Sequence, residues 1–192
     1  MGMRHITFLA VLFFAGSAHA DDPARGAFDR NLAIGAYGSG WAGSYLGASV
    51  GGRARWEPFE SLGIDLFAEH MWVRSPGGFR HDHPIGFNAY IPFDLGHGWR
   101  FRPLLGFCAV FSMIEPDNED APRADDVLFG MHAGAGVEWA PLRLLSLFVD
   151  LKAIGYLGHD RTAQGWTGSV SEDYATMAVV QANLGAQVHF DL

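Results

Sequence analysis

After its first twenty residues the chain has no apolar run approaching the about 20 residues that a membrane-spanning helix requires. It has one cysteine, Cys108, so no disulfide can close within it. Cations are scarce as well: thirteen Lys and Arg stand against twenty-one Asp and Glu, a formal net charge of −8, which argues against a nucleic-acid surface. Stability must therefore come from packing or from a surrounding solvent that is itself apolar.

What is present begins with an export signal. Met1-Gly-Met-Arg4 is followed by the apolar run Ile6 to Ala15 and then by Ala18-His19-Ala20 ahead of Asp21-Asp22. A basic start, a short apolar core and an Ala-x-Ala site define a secretory signal peptide. Residues 1–20 are expected to be removed after Ala20, leaving one domain over 21–192. With Arg4 gone, the formal charge of that domain is −9.

The C-terminal stretch from Met177 to Leu192 alternates. Ala178, Val180, Ala182, Leu184, Ala186, Val188, Phe190 and Leu192 share one parity; Gln181, Asn183, Gly185, Gln187, His189 and Asp191 share the other. A period of two gives a strand one apolar and one polar face. Eight such segments are expected, near 30–40, 44–57, 61–74, 84–95, 99–114, 126–139, 143–156 and 174–192. Short turns at 57–60, 96–98 and 140–142 interleave with longer polar connections at 75–83, 115–125 and 157–173; the first outer connection, around 38–43, is short. Trp56, Trp99 and Trp139 lie beside the short turns, and Trp72, Phe111, Tyr156 and Tyr174 beside the long ones. Paired aromatic girdles and unequal loops point to an all-β, eight-stranded antiparallel up-and-down transmembrane β-barrel, with short periplasmic turns and longer extracellular loops. A secreted lipocalin-type barrel would alternate equally well but with its apolar face inward. The near-absence of charge on the apolar face, where His70 is the one ionisable strand residue, favours lipid outside.

Two groups of inward positions follow from the parity. Arg53, Arg55, Asp65, Asp94, Arg100, Arg102, Glu138, Asp150 and Lys152 form a lumen charge network. A hairpin register pairing Trp56 with Leu62 sets Arg53 opposite Asp65, and one pairing Phe93 with Phe101 sets Asp94 opposite Arg100. An eight-stranded barrel is just wide enough for side chains to fill, so these charges are expected to pair into a plug rather than an ion pathway. Nearer the long loops, Met71, Val73, Val110, Ile114, Leu128, Ile154, Met177 and Val179 would make an apolar vestibule, either a hydrophobic-ligand site or a packed closure. His81-Asp82-His83, placed on the second long loop, has chelate-like spacing but no supporting shell, and is read as solvated. The acidic loop Glu115 to Asp126 is read as a solvated surface able to share divalent cations with lipopolysaccharide phosphates. No catalytic, cofactor-binding or metal residues are assigned.

Arg102-Pro103-Leu104-Leu105-Gly106, followed by Gly130-Met-His-Ala-Gly134-Ala-Gly136-Val-Glu138, is similar to the middle hairpin of the small eight-stranded outer-membrane barrels, the OmpA/OmpX/OmpW-like group. The resemblance covers residues 21–192. It departs at the terminus, where Leu192 stands in place of the usual final Phe and Phe190 lies two positions before it. The resemblance implies residence in the outer membrane of a Gram-negative bacterium. It also implies contact with outer-membrane lipid and lipopolysaccharide, and delivery by the barrel-assembly machinery through the C-terminal strand. Barrels of this kind that deacylate lipid A carry a His-x-Ser pair, and the palmitoyltransferase type an Asp-Ser pair; neither dipeptide pattern occurs here. The expectation is a non-enzymatic structural or surface-interaction protein with a plugged polar lumen. The alternative is OmpW-like binding or passage of small hydrophobic molecules, with a lipid-modifying enzyme third.

Overall fold

A computed structural model describes residues 28–43, 46–75, 78–116, 124–158 and 175–191. The strands are β1 (Leu32–Gly43), β2 (Gly47–Phe59), β3 (Leu62–Ser75), β4 (Gly78–Tyr90), β5 (Phe93–Gly96), β6 (Trp99–Pro116), β7 (Ala124–Leu142), β8 (Leu145–Gly158) and β9 (Ala175–Phe190). All neighbours are antiparallel, and β1 pairs with β9 from Leu32↔Phe190 to Gly43↔Val179, closing the sheet. Both β4 and β5 lie against β6, so they form one stave broken at Ile91-Pro92. The result is a closed eight-stave antiparallel barrel. No described helix is long and apolar enough to cross a membrane.

The parity is the reverse of a water-soluble protein. Leu184 is 67% and Phe129 66% exposed on the outside, whereas Arg102 and Glu138 are fully buried within. An interior of paired polar groups and an exterior of Leu, Val, Phe and Trp is stable only where the outer solvent is hydrocarbon. This excludes the lipocalin-type arrangement. Trp99 stacks on Trp139 at the short-turn end, with ring centroids 5.8 Å apart, and exposed Trp72 and Phe111 mark the other end of the apolar band. Tyr156 is not part of that girdle: it sits on the inward parity, buried and stacked on Trp41. Tyr174 lies outside the described residues.

Three further expectations change. The fourth stave begins at Gly78 rather than 84, so most of 75–83 is strand instead of loop. Pro84 interrupts the pairing: the β3–β4 ladder is regular at Ala68↔Ile85 and Met71↔Asp82 but unpaired between them, where proline lacks an N–H. In the first hairpin β2 runs on to Phe59, with a bulge between Trp56 and Phe59, and Trp56 aligns with Ile64 rather than Leu62. The turn at Gly96-His97-Gly98 is left-handed at all three residues, with φ of 81°, 51° and 76°, which is why glycines flank the histidine.

Candidate functional site: a charged lumen beneath an apolar cap

The inward side chains sort into layers along the barrel axis. At the short-turn mouth, Arg100 donates to Glu57 at 2.9 Å and to Asp94 at 2.6 Å, and its guanidinium lies 4.1 Å from the centroid of the Phe28 ring. Tyr90 also donates to Glu57, at 2.7 Å. Phe28 packs edge-on against His189, and Arg30 bridges to Asp191 at 2.6 Å. The segment before β1 is thereby drawn across the mouth. A polar recess of about 430 Å³ remains there, lined by Asn31, Glu57, Glu60, Asp94 and Arg100 among others.

The next layer holds three arginines against three carboxylates. Arg55 binds Asp65 at 2.9 Å and Glu138 at 2.6 Å; Arg102 lies 3.3 Å from Glu138 and 3.0 Å from Asp150; Arg53 binds Asp150 at 2.9 Å. All six are buried. Gln187 accepts from Arg53 and donates to Glu138, which also accepts from Ser146 and lies 3.3 Å from His189. Arg53 additionally lies over the Phe148 ring at 3.3 Å. The charges balance within the layer, and contributing side chains come from β2, β3, β6, β7, β8 and β9. Glycine makes the space: a Cβ on Gly136 would sit 2.0 Å from the Asp150 carboxylate and 3.3 Å from Arg102.

Above this, Glu69 accepts from Tyr37, Ser49 and Gln181, each at 2.8–2.9 Å. Lys152 lies 4.7 Å from the centroid of the Phe67 ring, and His132 hydrogen-bonds Asn88 at 2.6 Å. Next come Met71, Val73, Val110, Leu128, Ile154 and Val179, which share one buried cluster with Trp41, Phe67, Cys108 and Tyr156. Each of the six is at most 3% exposed, so they pack against one another and their neighbours. On the β4–β6 side of this cluster, Arg80 donates to Asp82 at 2.7 Å and to Ser112 at 3.0 Å, and Ser112 donates to Asp82. The side chains of Ile114 and Met177 lie outside the described residues.

The structure thus gathers eight of the nine expected lumen charges inside the barrel, while the Asp94 side chain is 64% exposed at the rim although it does meet Arg100. Arg53 stands opposite Phe67, and Arg55 opposite Asp65, because the turn tightens to pair Phe59 with Leu62 and the bulge before Phe59 restores the parity, a net shift of one inward position. Sequence reasoning missed Glu57, Arg80 and Asp82 as lumen residues. Glu57 was assigned to a turn, and Arg80 and Asp82 to a loop. It also left Glu69, Gln187 and His189 out of the network, although their parity was the available signal. The His81-Asp82-His83 triplet is strand: Asp82 points inward to Arg80, while His81 and His83 join His70 on the outer face.

No family model and no curated protein matches the sequence. Solved structures match the fold. Neisserial surface protein A aligns over 83% of this chain and 96% of its own, at 12% identity and a TM-score of 0.62. Ail, the attachment invasion locus protein of Yersinia pestis, was crystallised with the heparin analogue sucrose octasulfate. It aligns over 83% and 97%, at 15% identity and a TM-score of 0.51. The outer membrane enzyme PagL aligns over 82% and 99%, at 13% identity and a TM-score of 0.50. The chain has the architecture of the small eight-stranded outer-membrane β-barrels.

Proposed function

We propose that the chain is an exported, non-enzymatic barrel of a Gram-negative outer membrane, cleaved after Ala20 and inserted by the barrel-assembly machinery through β9. Its lumen is closed to ions, and its role is structural or surface-interactive at the lipopolysaccharide face. The observation that carries this reading is the balanced layer of Arg53, Arg55 and Arg102 with Asp65, Glu138 and Asp150, drawn from five of the eight staves and buried throughout. An ion entering it must break charge-assisted hydrogen bonds in a poorly solvated interior, where a lost partner costs about 3–5 kcal/mol.

Passage of small hydrophobic molecules is less well supported, because the apolar cap is self-packed above that layer. Planar-bilayer recording of the refolded protein tests the proposal. Silence at moderate voltage is expected; a stable unitary conductance that Glu138→Ala enlarges would show an ion path through the layer and overturn it.

A further inference from the structure

The outer face of β3 and β4 carries three imidazoles in an otherwise apolar band: His70, His81 and His83. His70 Nδ1 and His83 Nε2 face each other at 2.8 Å, one donating and the other accepting. His81 stacks on His70 with ring centroids 5.5 Å apart, and the edge of Trp72 meets His70 at 4.4 Å. These contacts lie just where the β3–β4 ladder lacks pairs beside Pro84, so the two strands are locally freer to adjust. The level is that of Trp72 and Phe111, the loop-side edge of the apolar band. Ionisable side chains at membrane depth are costly and mark functional positions.

We propose that His70 and His83 chelate a divalent transition-metal ion on the outer face of the barrel, at the loop-side membrane interface, with His81 alongside. Of the two facing ring nitrogens, the acceptor already presents a lone pair, and the donor ring presents a second when it switches tautomer, its proton moving to the far ring nitrogen, so that both neutral imidazoles can bind one ion with no net loss of a proton. This favours a cation over an anion, since two protonated rings could not make the 2.8 Å contact. A tetrahedral ion with metal–nitrogen bonds of about 2.0–2.1 Å sets its ligand nitrogens roughly 3.3 Å apart, so small side-chain rotations suffice. Imidazole selects ions such as Zn²⁺ and Cu²⁺ over Mg²⁺ or Ca²⁺. No set of three or more His, Cys, Asp or Glu side chains among the described residues forms a ready cage. The site is therefore a two-histidine chelate whose other positions are open to water and to lipid head-group oxygens. Glu69 and Asp82, the nearest carboxylates in sequence, point into the lumen and are held there by their own partners.

The test uses the barrel refolded in phosphate-free detergent, with the exposed His97 and with His159 changed to Gln to remove competitors. Cu²⁺ added at one equivalent should give an electron paramagnetic resonance spectrum with two or more nitrogen couplings. Zn²⁺ titration should saturate near one ion per chain. His70→Gln and His83→Gln should each weaken binding at least about 100-fold, since loss of groups that merely orient a ligand already costs 10–100-fold. Both variants should keep heat-modifiable migration, because glutamine at a lipid-interface position leaves the ladder intact. Binding unchanged in these variants would overturn the proposal. Should either fail to fold, the spectrum of the unsubstituted pair decides: fewer than two nitrogens overturns it.

Discussion

Removing single partners from the Arg55–Glu138 pair and from the Arg100–Asp94 pair should have very different consequences, although both are short contacts at 2.6 Å. Glu138 and Arg55 are both buried, and Glu138 also serves Arg102, Ser146, Gln187 and His189. Glu138→Ala therefore takes a carboxylate from two guanidinium groups in a poorly solvated interior, leaving Arg55 with Asp65 and Arg102 with Asp150, and is expected to cost about 3–5 kcal/mol. Arg55→Met leaves Glu138 one cationic partner in Arg102 and should cost somewhat less. The double variant should fall short of the sum by about 1–3 kcal/mol, as expected for groups in one network. Asp94, by contrast, is mostly exposed, and Arg100 retains Glu57, so Asp94→Ala should cost at most about 1 kcal/mol. Urea unfolding in lipid vesicles, followed by tryptophan fluorescence, reads all four. Additivity at Arg55 and Glu138 within about 0.5 kcal/mol would refute the idea of a coupled layer. A cost at Asp94 equal to that at Glu138 would refute the ranking by burial.

Three other outcomes follow from the same arrangement. Leu184→Arg, at a 67% exposed lipid-facing position of β9, should lower folding stability by about 2–4 kcal/mol if it lies near the midplane; tolerance in vesicle unfolding would mean that the faces are inverted. Gly136→Ala, whose Cβ would collide with Asp150, should cost about 1–3 kcal/mol by urea titration, and a neutral result would show that the layer is looser than drawn. Leu128→Ala, in the packed cap, should cost about 2–5 kcal/mol; a negligible cost together with new binding of a hydrophobic dye would point to a ligand pocket instead.

Most of the fold was legible because lipid enforces parity more strictly than water does. Outward positions are apolar but for the His70, His81 and His83 cluster, so a strand such as β9 announces both its length and its faces. Two features hid what remained. The polar triplet His81-Asp82-His83 just before Pro84 read as loop, although the strand continues through the proline by giving up the two ladder pairs between Ala68↔Ile85 and Met71↔Asp82. That error removed Arg80 and Asp82 from the lumen and set His81 and His83 apart from His70. The tight turn and the bulge between Trp56 and Phe59 were invisible for another reason: together they move the pairing by two residues, which changes which arginine meets Asp65 while leaving the alternation upstream undisturbed. Long-range partners such as Arg53 with Gln187, on staves 134 residues apart in sequence, depend on closure and have no local signal.

The charged layer also accounts for why the barrel closes in one register. A slip of one residue in a stave turns its inward set toward the lipid. For β2 this would expose both Arg53 and Arg55 to hydrocarbon, at about 2–4 kcal/mol for each arginine near the midplane, and would leave Asp65, Glu138 and Asp150 to share Arg102 alone among the arginines of the layer. For β7 it would expel Glu138, which joins the cationic side chains of β2 and β6. A slip of two keeps the parity but moves each arginine past its carboxylate, so that penalty is measured in ion pairs rather than in lipid exposure. An apolar interior would give no such discrimination, because outside and inside would then tolerate the same residues. The network fixes alignment among staves distant in sequence, and that task requires neither a transported ion nor a bound molecule.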